Sequence, residues 1–184
     1  ASVRSAALAS LRAAGAEAEL SEFARAQFEA GYSWAVMAAA ADLVRTADAD
    51  PARAYAWVLE RLDLPSPHHV LRASLLSVAA AFERPETVGL LRDFALDPDS
   101  GSQPRVVAVR HLARLGRYDS QVQRDVLSLL ETRDYHLRGA VIGALGAFRT
   151  ERALHALEQR WRVEPDVRHR RAIERVLQDA ARRG

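Results

Sequence analysis

The sequence predicts an all-α chain of stacked antiparallel helix pairs, on three observations. A short motif recurs at a nearly constant interval, apolar stripes of helical period fill the spaces between, and no stretch of strand length alternates with period two. The recurring segments open at Val3-Arg4, Ala35-Val36, Leu71-Arg72, Pro104-Arg105, Leu137-Arg138 and Val167-Arg168. Their successive offsets are 32, 36, 33, 33 and 30 residues, the length of one helix pair with its turns.

Each recurring segment starts a first-set helix with small and aliphatic residues at helical spacing. Examples are Ala6, Ala7, Leu8 and Leu11, then Val107, Ala108, Leu112 and Leu115, then Ala140, Val141, Ala144 and Leu145. A second set is expected over about 17–30, 51–62, 85–96, 120–131 and 151–161, as the stripe Val122, Val126, Leu127, Leu129, Leu130 shows. Prolines at Pro51 and Pro85 suit a first helical position, where the missing N–H costs nothing. Ser120-Gln121-Val122-Gln123 reads as a capping box, and Gly116 and the segment 97–102 as stops.

A lone helix pair cannot bury its apolar face, whereas stacked pairs bury a continuous spine. The expected organisation is therefore one repeat domain over 1–184. Repeats fall at about 1–31, 32–66, 67–101, 102–133 and 134–163, with a charged capping helix within 164–184. That makes about five helix pairs and a final helix.

Composition narrows the function. No apolar run approaches the roughly 18 residues of a membrane span, and the start lacks the pattern of a signal peptide. Without Cys there is no disulfide framework and no thiolate ligand, which fits a cytoplasmic origin. The chain enters helical pattern at Val3 without an initiator Met, so it reads as a fragment of a larger protein. All 26 basic residues are Arg, a coding bias rather than a functional demand. Charge is uneven, −3 over 1–66, +1 over 67–159 and +4 over 160–184. That polarity can bias an interface but is not a nucleic-acid footprint.

The repeat column Arg4, Arg72, Arg105, Arg138 and Arg168 is expected to be a structural ladder that bonds to neighbouring helix ends. No catalytic or metal-binding constellation emerges. The six His include no pair at i, i+4 spacing and no His-Glu-x-x-His, and His68-His69 open a helix in a surface or capping role. Gly139, Gly143 and Gly146 are read as close helix packing rather than a phosphate loop. Glu17, Glu19, Glu22, Asp48 and Asp50 read as first-turn acids favoured by the helix dipole. Trp34, Trp57 and Trp161 each lie in an apolar stripe and are expected to pack, an exposed one on a second-set helix being a partner contact instead.

The motif from Asp134 to Gly146 (Asp-Tyr-His-Leu-Arg-Gly-Ala-Val-Ile-Gly-Ala-Leu-Gly), restated at Pro165-Asp166-Val167-Arg168, resembles the HEAT-like repeat consensus in its compact bacterial form. The resemblance implies a right-handed α–α superhelix, a HEAT-like solenoid. With Ser66 to Leu75 and Glu164 to Arg168 taken in order, the chain also resembles the C-terminal helical domain of bacterial zinc aminopeptidases of the M1 class. It departs from that pattern at Val36, where the column loses its Arg, and in the insertion at 97–103.

That resemblance implies a non-catalytic segment that packs on the catalytic domain and helps wall or gate a substrate chamber. The zinc and its ligands would belong to that domain, so no cofactor is expected in this segment. By fold analogy, second-set residues Arg53, Tyr55, Arg92, Arg124 and Arg152 would line a concave contact face. Two other readings stand beside it. One is a free-standing scaffold for a protein partner. The other is a nucleic-acid binder of the alkylpurine-glycosylase kind, against which the 24 dispersed acidic residues argue.

Overall fold

The computed structural model describes residues 16–31 and 33–182, the side chain of Glu17 excepted. The helix expected at Val3 to Leu11, with Arg4 of the ladder, lies outside the described residues. The chain divides at Glu83/Arg84 into two compact units. Among the described residues there are ten α-helices, two 3₁₀ turns (Pro67–His69 and Pro98–Ser100) and no strand. Among the described residues both units are all-α, in agreement with the sequence.

The first unit holds α1 (Glu17–Glu29), α2 (Trp34–Ala47), α3 (Pro51–Leu59) and α4 (Val70–Ala80). Helix α2 packs on α1, α3 and α4, and α3 also meets α4. Phe28, Val44, Val58, Leu71, Leu75 and Leu76 are buried between them. Trp57 is buried, with its ring edge-on to Phe28 at 5.0 Å and the Arg61 guanidinium 4.0 Å above it.

The second unit holds α5 (Pro85–Leu96), α6 (Ser102–Leu115), α7 (Ser120–Ser128), α8 (Tyr135–Phe148), α9 (Glu151–Val163) and α10 (Val167–Ala181). It has two layers. Helices α6, α8 and α10 pack in succession, and α5, α7 and α9 form the layer behind them. Leu91, Leu112, Val126, Leu137, Leu145, Leu157 and Ile173 fill the space between the layers. Alternation of first-set and second-set helices is what the sequence period anticipates.

Capping chemistry sets where the helices begin. Asp50, Asp119, Asp134 and Asp166 occupy N-cap positions, and each carboxylate accepts one or two backbone N–H groups of the first turn. Each such cap stabilises its helix by about 1 kcal/mol. The expected capping box at Ser120 is replaced by Asp119, which accepts from Gln121 and Val122 N–H at 2.7 and 3.2 Å. Gln123 turns away to donate to the Arg117 carbonyl at 2.8 Å. A carboxylate one residue earlier reaches the same orphan donors with the stronger charge-assisted bond. His68 and His69 both adopt left-handed backbone, with φ of 51° and 57°. Neither side chain caps α4. That role falls to Ser66 Oγ, which accepts from Leu71 N–H at 3.0 Å.

The glycines of α8 have distinct reasons. A Cβ on Gly146 would stand 2.7 Å from a Val176 methyl of α10, so here the helices approach too closely for any side chain. A Cβ on Gly139 would meet His169 Nε2 at 3.3 Å. Gly143 would meet nothing within 4 Å, so helix packing explains only two of the three. Gly146→Ala is expected to lower stability by about 1–3 kcal/mol through overpacking against a stiff β-branched neighbour. Gly143→Ala is expected to raise it by up to about 1 kcal/mol through helix propensity. Urea midpoints of the two variants check both signs.

Candidate functional site

The turns α7–α8 and α9–α10, from second-set to first-set helices, repeat one hydrogen-bonding pattern. Two residues before each cap stands an acceptor side chain that takes the backbone N–H of the cap itself. Thr132 Oγ1 does this for Asp134 at 3.3 Å, and Glu164 Oε1 for Asp166 at 3.1 Å. Asp48 Oδ1 likewise accepts from Asp50 N–H at 2.9 Å, between α2 and α3. Four residues past the caps come Arg138 and Arg170, which reach back to carbonyls left unpaired at the preceding helix end. Arg138 Nε donates to the Thr132 carbonyl at 3.0 Å, and Arg170 Nε to that of Glu164 at 3.0 Å. Arg105 Nε donates to the Ala95 carbonyl at 3.0 Å, and Arg72 Nε to the Leu62 carbonyl at 2.8 Å.

Arg105 therefore bonds to the last turn of α5, and Arg72 and Arg138 to turn carbonyls three and four residues past the ends of α3 and α7. In the last helix Arg170 takes this position, while Arg168 is exposed on the outer face of α10 beside Arg171 and Arg175. The Val167-Arg168 doublet sits two residues early relative to its cap. Aligning on Asp134 and Asp166 instead brings Arg138 and Arg170 into register.

Two buried carboxylates close these turns, and sequence reasoning passed over both. Asp48, expected as a first-turn acid, has a fully buried side chain that accepts from Ser21 Oγ at 3.2 Å, Arg25 Nη2 at 2.6 Å and Arg53 Nη2 at 2.7 Å. Burial pushes its pKa up, but the Arg53 bond, the Asp50 N–H and the Arg25 bond outweigh burial and hold it well below the usual carboxylate range. Glu164 is equally buried, between Arg138 Nη1 at 3.2 Å and Arg160 Nε at 2.7 Å. Its pKa too is lowered, because the Arg160 bond and the Asp166 N–H overcome the effect of burial. The signal was present in the spacing Asp-x-Asp and Glu-x-Asp, once the caps rather than the Arg doublets are aligned.

The second-set candidates separate. Tyr55 is 5% exposed and packs edge-on to Phe82 at 5.3 Å, so its ring belongs to the core and not to a contact face. Arg53 is spent on Asp48, and Arg92 on Asp125 at 2.7 Å. Arg124 and Arg152 come together at a small cavity of about 210 Å³ between α7 and α9, with Leu127, Thr150 and Ala153. No carboxylate lines it. Trp161 of α9 is 42% exposed, unlike the buried Trp57, and Trp34 of α2 is also partly exposed.

A second, larger cavity of about 390 Å³ opens on the first layer. Its walls are Arg110 of α6, Tyr135 and His136 of α8 and His169 of α10, over the small residues of α8 from Gly139 to Ala144. The His169 ring is buried and stacks on Tyr135 at 4.4 Å. Its Nδ1 makes no hydrogen bond, the nearest carboxylate oxygens, from Asp166 and Glu164, standing 3.8 and 3.9 Å away. Among the described residues no group of three or more His, Asp or Glu is placed to hold a metal ion. Nor is any helix there long and apolar enough to cross a membrane.

Two helix layers, a cap-and-arginine turn at α7–α8 and again at α9–α10, and a period near 33 residues are the marks of one repeat type. Residues 100–178 match the family model of HEAT repeats. This stretch is a HEAT-like repeat region. No curated protein and no solved structure matches the chain. The HEAT match begins at the α5–α6 turn and runs into α10, so it takes in Arg105, Arg138, Glu164 and both surface cavities.

Glu164→Gln is expected to lower the unfolding free energy by about 3 kcal/mol, since it removes the counter-charge of the mostly buried Arg138 and leaves Arg160 only the exposed Glu131. Because the folded-state pKa is depressed, the contribution of Glu164 is complete above the unfolded value near 4.3 and drains as pH falls below it. Urea unfolding at pH 7 and pH 3 should show the wild type losing more stability on acidification than Glu164→Gln. An equal loss in both would contradict this account.

Proposed function

We propose that this chain is a non-catalytic repeat scaffold that holds a protein partner on its second-layer face. The observation that carries it is the pair Arg124 and Arg152, brought to one cavity between α7 and α9 with no carboxylate among its lining residues. Most other arginines of the repeat turns are engaged by carbonyls and buried acids, whereas Arg124 bonds only to the uncharged Ser120 Oγ and Gln121 Oε1, at 3.4 and 2.5 Å, and neither it nor Arg152 meets a carboxylate among the described residues. The partly exposed Trp161 on α9 supports the same use of the second set, since a large aromatic left at the surface favours a contact. Repeat stacks of this kind generally serve as binding surfaces and carry no chemistry of their own.

The partner we infer is the catalytic domain of an M1-class zinc aminopeptidase in the cytoplasm of a bacterium, of which this chain would be the helical C-terminal part. Support for it is the order of the motifs at Ser66 to Leu75, Asp134 to Gly146 and Glu164 to Arg168. Zinc and catalysis would reside in that domain, and this segment would shape or gate access to it.

Joint reversal of Arg124→Glu and Arg152→Glu is expected to weaken partner retention at least about tenfold with an unchanged melting temperature, as rim charges act on association more than on folding. Retention equal to wild type in co-purification would remove the second-layer face from the proposal. Reading the coding sequence upstream of Ala1 tests the narrower inference. An in-frame His-Glu-x-x-His with a distant Glu is the expected outcome, whereas a start codon directly before Ala1 would leave an independent scaffold.

A further inference from the structure

We propose that the first-layer groove between α6, α8 and α10 binds an acidic peptide segment, whose carboxylate pairs with Arg110 while its backbone lies over the floor at Gly139 to Ala144. The groove uses different residues from the second-layer face, so either reading can fail alone. Three observations lead here.

The first is charge. Arg110 has no hydrogen bond or ion pair among the described residues, whereas Arg105, five residues earlier on α6, is bound to a carbonyl. Arg110 and His136 also line the adjoining cavity of about 230 Å³, formed with Ser102, Gln103, Val106 and Val107. The two cavities share Arg110 and His136 as a common wall between α6 and α8, and no acid is among their lining residues. Asp134, the cap of α8, is occupied by the Ser102 side chain and the first-turn amides of α8, and Asp166 and Glu164, behind His169, are engaged by the His169 amide and by Arg138 and Arg160. Arg110 is therefore the cation left for a ligand.

The second is His169. Its side chain is 5% exposed and walls the cavity, with Nε2 over Gly139. A buried imidazole nitrogen without a partner costs roughly 1–3 kcal/mol, so this ring is held by shape, through its stack on Tyr135 and its seat on Gly139, and not by its own hydrogen bonds.

The third is Gly143. It is exposed in mid-helix, where glycine is unfavourable by about 1 kcal/mol relative to alanine, and packing against α10 does not require it. What the missing side chain does provide is open floor. A flat bottom of glycine and alanine lets a peptide backbone approach closely, which a bulkier ligand-free surface helix would not need.

The test is fluorescence anisotropy of the full chain with a fluorescein-labelled peptide of alternating Glu and Ala, at low ionic strength where exposed pairs are least screened. Wild type is expected to bind this peptide and not the Gln-Ala equivalent. Arg110→Ala and Gly143→Leu are each expected to weaken binding about tenfold or more, with circular dichroism unchanged because neither side chain is packed. Arg168→Ala, which removes a charge from the outer face of α10, is expected to leave binding as it was. Absence of binding by wild type, equal binding of the Gln-Ala peptide, or equal binding by both groove variants would each overturn the proposal. Millimolar inorganic phosphate that itself binds with the same Arg110 dependence would make this a simple oxyanion site and overturn the peptide reading.

Discussion

Everything in the repeat units hangs on how the chain satisfies its backbone where one helix ends and the next begins. Each helix leaves carbonyls unpaired at its C-terminus and amides unpaired at its N-terminus, and the return to the next layer buries both. The solution at α7–α8 and α9–α10 is the same: an Asp caps the new helix, an acceptor two residues earlier holds the cap's own N–H, and an arginine four residues later reaches back to the old helix's last carbonyls. Because the arginine spans both helices, it sets their relative placement as well as their hydrogen bonds. At α5–α6 a 3₁₀ turn lengthens the return, and Arg105 still finds the Ala95 carbonyl.

This constraint also explains the buried charges. An arginine drawn into a turn is poorly solvated, and a carboxylate nearby offsets that cost only when hydrogen bonds fill its remaining acceptor positions. Glu164 meets the condition with Arg138, Arg160 and the Asp166 amide, and Asp48 meets it with Ser21, Arg25, Arg53 and the Asp50 amide. Once charge is used up in this way, the arginines that remain unpaired become informative. Arg110 on the first layer has no partner among the described residues, and Arg124 on the second bonds only to the uncharged Ser120 and Gln121, so these positions, with Arg152, invite an external anion.

The helix inventory was legible because it rests on local rules. Apolar period, Ala content, Pro51 and Pro85 at first helical positions and the stop at Gly116 all act within a few residues, and the observed helices fall where these marks predict, with the C-termini of α3 and α7 shorter by three residues. The cap at Asp119 was misread by one residue, as local capping signals allow when several polar residues adjoin. Misassignment of the last ladder position has the same origin: a Val-Arg doublet is a pattern of composition, whereas the reach of an arginine depends on its distance from the cap.

Sequence by itself determined the class of fold, the two alternating helix sets and their period, since these follow from spacing along one chain. Only tertiary structure decided which charges are free. Tyr55 looked like a surface residue and is core, because its neighbour Phe82 comes from 27 residues away. Asp48 looked like an ordinary first-turn acid and is the buried centre of a unit, because Arg25 and Arg53 approach it from two other helices. Gly139, Gly143 and Gly146 are alike in sequence, yet α10 closes on two of them and leaves the third open. Such distinctions depend on what arrives from elsewhere in the chain, and no local pattern encodes an arrival.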